Sequence, residues 1–315
     1  MRIGVFIGDA SGARTDLAAL LARARWAEEA GFATGWVPHI PWSLDALTAL
    51  AVVGQATSRM ELGAAVVPTY PRHPMALAQQ ASTTNAACDG RLVLGLGPSH
   101  AGVIEGMLGL RYERPARHTR EYVEVLAQAS SLPPRQRLSY EGEEFRVDAL
   151  LEVPGAVPYP VLVAALAPLM LRVAGEVADG TVTYWADERA IGEHVVPRVT
   201  KAAEDAGRPR PRVVAGIPVA VVAAAEVDAA RERAATVFRA YEAIPAYRRV
   251  LALGDHASPG SAALVGTESE VATRLRAFAD AGATDFLAAS VGLGTDAAAS
   301  RSRTEEFLAD MARQG

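Results

Sequence analysis

Three apolar runs in this chain break abruptly into residues that could do chemistry. Residues 34–38 (TGWVP) end at His39, residues 62–67 (LGAAVV) give way to Pro68, Thr69, Tyr70, Arg72 and His73, and residues 92–96 (LVLGL) give way to Gly97, Pro98, Ser99 and His100. Parallel α/β enzymes keep their active sites at the C-terminal ends of their strands, which makes these breaks candidate site positions. Imidazole titrates near neutrality, so His39 and His100 suit proton transfer or hydrogen bonding beside a reacting group. The other strand ends add Asp9, Ala167 with Pro168, and Tyr184 with Trp185. Carboxylates are scarce in this set. The histidines at 39, 73, 100, 118, 194 and 256 lack HExxH spacing, and no GxSxG elbow occurs. Neither a metal centre nor a hydrolase nucleophile is therefore expected.

What remains is a mostly apolar, glycine-lined mouth, suited to a flat conjugated cofactor that brings its own reactivity. Gly95 and Gly97 would let the fourth strand's backbone approach a ring closely. A helix opening at Pro168 would offer free amides and a dipole to a phosphate.

Eight strand-like segments must position these residues: 2–7, 34–38, 62–67, 92–96, 160–166, 181–184, 212–223 and 285–290. Between them, helical spacing covers 16–30 (stopped by Gly31), 43–57, 74–87, 118–129, 168–178, a long stretch ending before Gly207, 226–243 (interrupted by Pro245), 268–281 and a closing helix from about Ser302. Asp89-Gly90 reads as a helix-to-strand loop. This alternation predicts a (β/α)8 TIM barrel, and the lack of a GxGxxG after the first strand argues against a Rossmann sheet. Residues 97–117 and 132–160 depart from the alternation. The second stretch contains one strand-like run, YEGEEFRV at 140–147. Both read as an insertion, about 98–158, near the mouth of one barrel domain spanning 1–315.

A 315-residue chain with 50% apolar content can bury a full core. Its 31 basic and 36 acidic residues are dispersed, with no basic stripe, so nucleic acid is not an expected partner. The single cysteine, Cys88, fits a reducing cytoplasm and reads as an inert residue at a helix end. No long apolar segment calls for a membrane.

Four segments together resemble the luciferase-like monooxygenase superfamily: VVPTYPRHP at 66–74, AQQASTTNAACDGRLVLGLG at 78–97, RPARHTREY at 114–122 and VLVAALAPLMLRVAGEVADGTVT at 161–183. Within it they are similar to the actinobacterial oxidoreductases that use the deazaflavin coenzyme F-420. The resemblance implies a barrel whose cofactor ring lies across the ends of strands two to four, with a non-proline cis peptide at Ala65-Val66 in a bulge of strand three. Matched by position, His39 would hydrogen-bond near the reactive ring carbon. Gly97, Pro98 and Ser99 would form the loop under the ring. Ala167, Pro168, Leu169 and Met170 would bind the cofactor phosphate.

Two positions depart from relatives acting on sugar phosphates and alcohols. Pro38 stands where an acidic residue often precedes the histidine, and His100 stands where some carry a catalytic glutamate. A sugar-phosphate substrate is therefore not indicated, and the proton donor stays open between histidine and solvent. The implied activity is hydride transfer to or from a small organic molecule. An FMN-dependent monooxygenase using molecular oxygen and a cofactor-binding barrel without turnover are the alternatives. Tyr70 and Trp185 could wall the pocket, and His73 reads as a helix anchor. Arg72, Arg111, Arg114 and Arg117 could meet the cofactor's acidic tail. Many relatives pair into homodimers.

Overall fold

The computed structural model describes residues 1–8, 15–133, 135–254 and 256–314, so Asp9 lies outside the described residues. The first half contains β1 (Arg2–Phe6), α1 (Leu17–Ala30), β2 (Thr34–Val37), α2 (Ala46–Ala56), β3 (Glu61–Pro68), α3 (Pro74–Ala87), β4 (Leu92–Gly97), α4 (Ala101–Ile104), α5 (Pro115–Ser131) and the hairpin β5 (Arg137–Glu141) and β6 (Arg146–Leu150). Next come β7 (Val161–Ala164), α6 (Pro168–Val177), β8 (Gly180–Tyr184), α7 (Glu188–Ala190), a π turn (Ile191–Val195), α8 (Val196–Asp205), β9 (Arg212–Val221) and α9 (Val227–Val237). The chain ends with α10 (Pro245–Leu251), α11 (Pro259–Ala262), β10 (Leu264–Gly266), α12 (Glu268–Asp280), β11 (Asp285–Ser290) and α13 (Ala297–Gln314). Strands β1, β2, β3, β4, β7, β8, β9 and β11 pair in parallel and in that order, and β11 returns to β1 to close a (β/α)8 barrel. β10 adds a short parallel pairing at the end of β9.

Period-two alternation sorts each strand's side chains. On β4, Leu92, Leu94 and Leu96 join the core beneath the helices, while Val93 faces the barrel interior with Phe6, Trp36, Leu162, Val182, Val214 and Leu287. Trp36 fits inside because Gly63 leaves it room: a Cβ there would lie 2.2 Å from the indole. The indole N–H donates to Thr34 Oγ1 at 2.8 Å. At the N-terminal end of the barrel, the Arg212 guanidinium spans both oxygens of buried Asp285 (2.7 and 3.0 Å) and reaches Glu61 at 3.1 Å. Arg2 also contacts Glu61 (2.7 Å) and Asp285 (2.8 Å).

Local punctuation falls where the residue types dictate. Asp16 caps α1 by accepting from Ala19 N–H at 2.8 Å, and Gly31 takes the left-handed φ of 95° that ends it. Four expectations need correction. The run at 140–147 is two strands, because the buried Glu121 carboxylate collects the amides of Glu143, Glu144 and Phe145 (3.1, 2.8 and 3.1 Å) and folds the chain back. Pro245 opens α10, since proline suits a first helical turn; the preceding helix has already ended at Val237 and given way to a 3-10 turn, Arg239–Ala243. Pro115, for the same reason, starts α5 ahead of His118. The closing helix begins at Ala297, where Asp296 accepts from the amides of Ala298 and Ala299, both at 3.0 Å.

Candidate active site

β3 and β4 position the centre of the mouth. The register between them shifts between Ala64 and Val67, and the bulge contains a cis peptide at Ala65-Val66, as the resemblance implies. The bulge turns Ala65 and Val66 toward the barrel interior, where both are half-buried above the inner layer. Gly95 and Gly97 serve this bulge differently from the role expected of them. A Cβ on Gly95 would lie 2.2 Å from the Ala64 carbonyl oxygen, and one on Gly97 would lie 2.9 Å from Ala164 Cβ and 3.4 Å from Val66 Cγ2. Their missing side chains make room for neighbouring strands, beside the half-buried Ala65 and Val66. Beyond β4, Pro98, Ser99 and His100 are half-buried. Ser99 adopts a left-handed φ of 61°, and its carbonyl accepts from Tyr112 O–H at 3.2 Å.

His39 follows β2 directly, its side chain only 12% exposed. Its Nδ1 accepts from Ala46 N–H, at the start of α2, at 3.4 Å. Asp45 caps that helix with Oδ1, accepting from Thr48 N–H at 2.9 Å, and its Oδ2 lies 3.9 Å from His39 Nδ1. Arg72, from the loop after β3, pairs with the same Oδ2, while Gln80 of α3 donates to Oδ1 at 3.2 Å. Burial and the Arg72 charge hold the imidazole below its usual range, with Asp45 opposing them. A neutral ring whose Nδ1 accepts carries its proton on Nε2, which has no partner among the described residues.

His100 sits at the start of α4, its pKa lowered by burial, and meets Tyr247 edge-on at 5.6 Å. Tyr247 and Tyr241 complete an aromatic wall with Tyr184 and Trp185 at the end of β8. The sequence reading places Tyr184 and Trp185 here but misses Tyr241, in the 3-10 turn after α9, and Tyr247, on α10. The signal available for them is the broken helical pattern itself, since irregular excursions after a barrel strand gather at its mouth. The reading also leaves out Asp45, whose acidic cap before a helix was the available signal.

On the other side, Tyr70 stacks flat on His118 (3.9 Å between centroids, planes 2° apart) and donates to Glu113 O at 2.5 Å. His118 is buried against Thr69 Oγ1 at 3.1 Å, and burial depresses its pKa to about 4. Tyr70 thus ties the β4–α5 segment to the rim. His73 caps α3 as expected, accepting from Met75 N–H at 3.3 Å. Cys88 is buried at the end of the same helix, its thiol pushed up to about 11 by desolvation.

α6 begins beside this rim, since β7 pairs with β4. Ala167 is its N-cap, without a side-chain capping bond, and Pro168 occupies the first turn. The helix start is therefore open, and helical geometry leaves the Ala167, Leu169 and Met170 amides unclaimed by their own helix. Leu169 is exposed and Met170 buried. His194 of the π turn fixes the preceding loop through Leu166 O at 2.7 Å. Of the four arginines, Arg72 is engaged with Asp45, Arg114 and Arg117 pair with Glu143, and Arg111 is exposed with Glu113 at 3.9 Å. Among the described residues, no three His, Cys, Asp or Glu side chains converge as a metal site would require, and no helix is long and apolar enough to cross a membrane. One concavity of about 390 Å³ lies between α9, α11 and α12; its Arg231 and Arg274 are already paired with Glu270 and Glu188.

The family model described as luciferase-like monooxygenase matches residues 1–285. The chain is 35% identical over 178 residues to an F420-dependent glucose-6-phosphate dehydrogenase of Segniliparus rotundus, a match spanning 54% of this chain and 51% of that relative. In fold it is similar to the coenzyme F420-dependent tetrahydromethanopterin reductase of Methanopyrus kandleri (TM-score 0.73, 21% identity, 100% of this chain and 98% of that one). It is also similar to the oxygenating constituent of 3,6-diketocamphane monooxygenase from Pseudomonas putida in complex with FMN (TM-score 0.75, 17% identity, 98% and 96%).

Proposed function

Because the chain belongs to the luciferase-like monooxygenase family, we propose that it is an oxidoreductase moving a hydride between the deazaflavin coenzyme F-420 and a small organic substrate. One arrangement carries this reading: small residues on the β3 bulge, a neutral imidazole with a free N–H, and an uncapped helix start stand on the same rim. Ala65 and Val66 would support the ring with little side-chain bulk. The amides of Ala167, Leu169 and Met170 would hold its phosphate, with the α6 dipole adding to the attraction. The loop of Gly97, Pro98 and Ser99 would border the ring on the β4 side. The bound deazaflavin would supply the hydride-carrying carbon.

The chain's own residues supply position and dryness. His39 Nε2–H would donate to the ring or substrate, and His100 would stand opposite as a second imidazole near the reacting atoms. Tyr184, Tyr241 and Tyr247 would exclude water and press a flat, uncharged substrate toward the ring. A relative named for coenzyme F-420, 35% identical over 178 residues, supports this cofactor.

Parallel titrations of the cofactor-free protein with coenzyme F-420 and with FMN test the reading. Saturable micromolar binding of coenzyme F-420, with weaker FMN binding, is the expected result. Tight binding of FMN alone would replace it with a flavin monooxygenase. Binding of coenzyme F-420 with no turnover across carbonyl, alkene and alcohol substrates would leave a carrier.

A further inference from the structure

Loops from two neighbouring strands meet at Asp45. It closes the β2–α2 turn, holds Arg72 from the β3–α3 turn, and accepts from Gln80 on α3. His39 Nδ1 faces two groups of opposite demand in this knot. Ala46 N–H requires Nδ1 to accept, whereas the Asp45 carboxylate, 3.9 Å away, would reward an Nδ1 that carried a proton. Only one demand can be met at a time, and Arg72 decides between them by engaging Asp45 Oδ2, the oxygen nearer the imidazole.

We propose that Arg72, acting through Asp45, is a positioning residue that fixes His39 as the neutral Nε2–H tautomer, so that the ring presents a hydrogen-bond donor to its redox partner across neutral pH. This rests on the reading that His39 borders the bound cofactor. Among the described residues, the charged groups acting on His39 are Arg72 and Asp45. Partners of this kind set ring orientation and tautomer wherever an imidazole has two unequal nitrogens.

The two charges pull in opposite directions, and the test exploits that. Arg72→Gln removes the nearby cation and frees Asp45 to turn to Nδ1, so the His39 titration midpoint should rise by about one pH unit, a tenfold gain in proton affinity. Asp45→Asn keeps a good helix cap but removes the anion, so the midpoint should stay low or fall. The double variant should return toward the parent value, and Arg72→Lys should restore most of it. A purely structural role would move the two single variants in the same direction or leave both unmoved.

Long-range proton–nitrogen correlation spectra of the cofactor-free, 15N-labelled chain report midpoint and tautomer directly. The expected parent spectrum shows protonated Nε2 and unprotonated Nδ1. Protonated Nδ1 in the parent, or an unchanged midpoint in folded Arg72→Gln, would overturn the proposal. This readout needs neither cofactor nor turnover. If the midpoints move as expected while the affinity for coenzyme F-420 is the same in all variants, the positioning role stands and the placement of His39 beside the cofactor fails.

Discussion

Glu121→Ala should loosen the insertion without unfolding the barrel. The side chain is buried and accepts three consecutive backbone amides at 2.8–3.1 Å, the bonds that hold the β5–β6 turn. Bonds to a charged acceptor are worth about 1.5–3 kcal/mol each, but Glu143 is exposed and Glu144 and Phe145 half-exposed, so water replaces part of the loss. About 1 kcal/mol per amide, or about 3 kcal/mol in all, is the reasonable figure. For a chain of this length that corresponds to a fall in Tm of about 4 °C, measured by calorimetry. Hydrogen exchange should localise the change to residues 143–145 and β5–β6. Glu143→Ala is the contrast: it removes the exposed pairs with Arg114 and Arg117, which are worth less than about 1 kcal/mol, and should barely register. If Glu121→Ala melts within about 1 °C of the parent, well under the shift of roughly 4 °C that about 3 kcal/mol implies, and its turn amides stay protected, the carboxylate does not organise the hairpin.

Two other outcomes can be checked directly. His118 titrates near 6.5 when unfolded and about 4 when folded, because burial disfavours its charge, with Glu121 opposing. Between those values the unfolded chain binds the extra proton, so its contribution to stability is intact above about pH 6.5 and lost as the pH falls toward 4; His118→Gln should flatten that part of a Tm-against-pH curve. His39→Ala should lower oxidation of reduced coenzyme F-420, followed by absorbance, more than about tenfold while circular dichroism stays unchanged. Equal turnover would remove His39 from the site.

The barrel was legible because each strand is a short apolar run with breakers at its ends, and all eight runs named from the sequence are barrel strands. His39 and the α6 start were legible for a related reason, since strand ends are marked by composition, whereas the bulge at Ala65 and Val66 was given only by the family resemblance. The hairpin was not, because the group that folds it, Glu121, lies 22 residues before Glu143 and sits on a helix. Gly95 and Gly97 were singled out for a different role, since the atoms that leave them no room for a side chain, Ala64 O and Ala164 Cβ, become neighbours only once strands pair. The Asp45–Arg72 pair was hidden for the same reason, since its members are 27 residues apart on consecutive loops.

The ionic cluster of Arg2, Glu61, Arg212 and Asp285 joins strands β1, β3, β9 and β11 at the end of the barrel opposite the mouth. Closure is secured there by paired charges at the strand starts. Engineers seeking new substrates can therefore vary residues 99–113 or the 3-10 turn at 239–243 and expect the cylinder to stay shut, provided α5, which buries Tyr122, Val123, Val125 and Leu126 in the core, is kept. Disturbing Asp285 would instead undo the seam where the last strand meets the first, whatever loops the molecule wore.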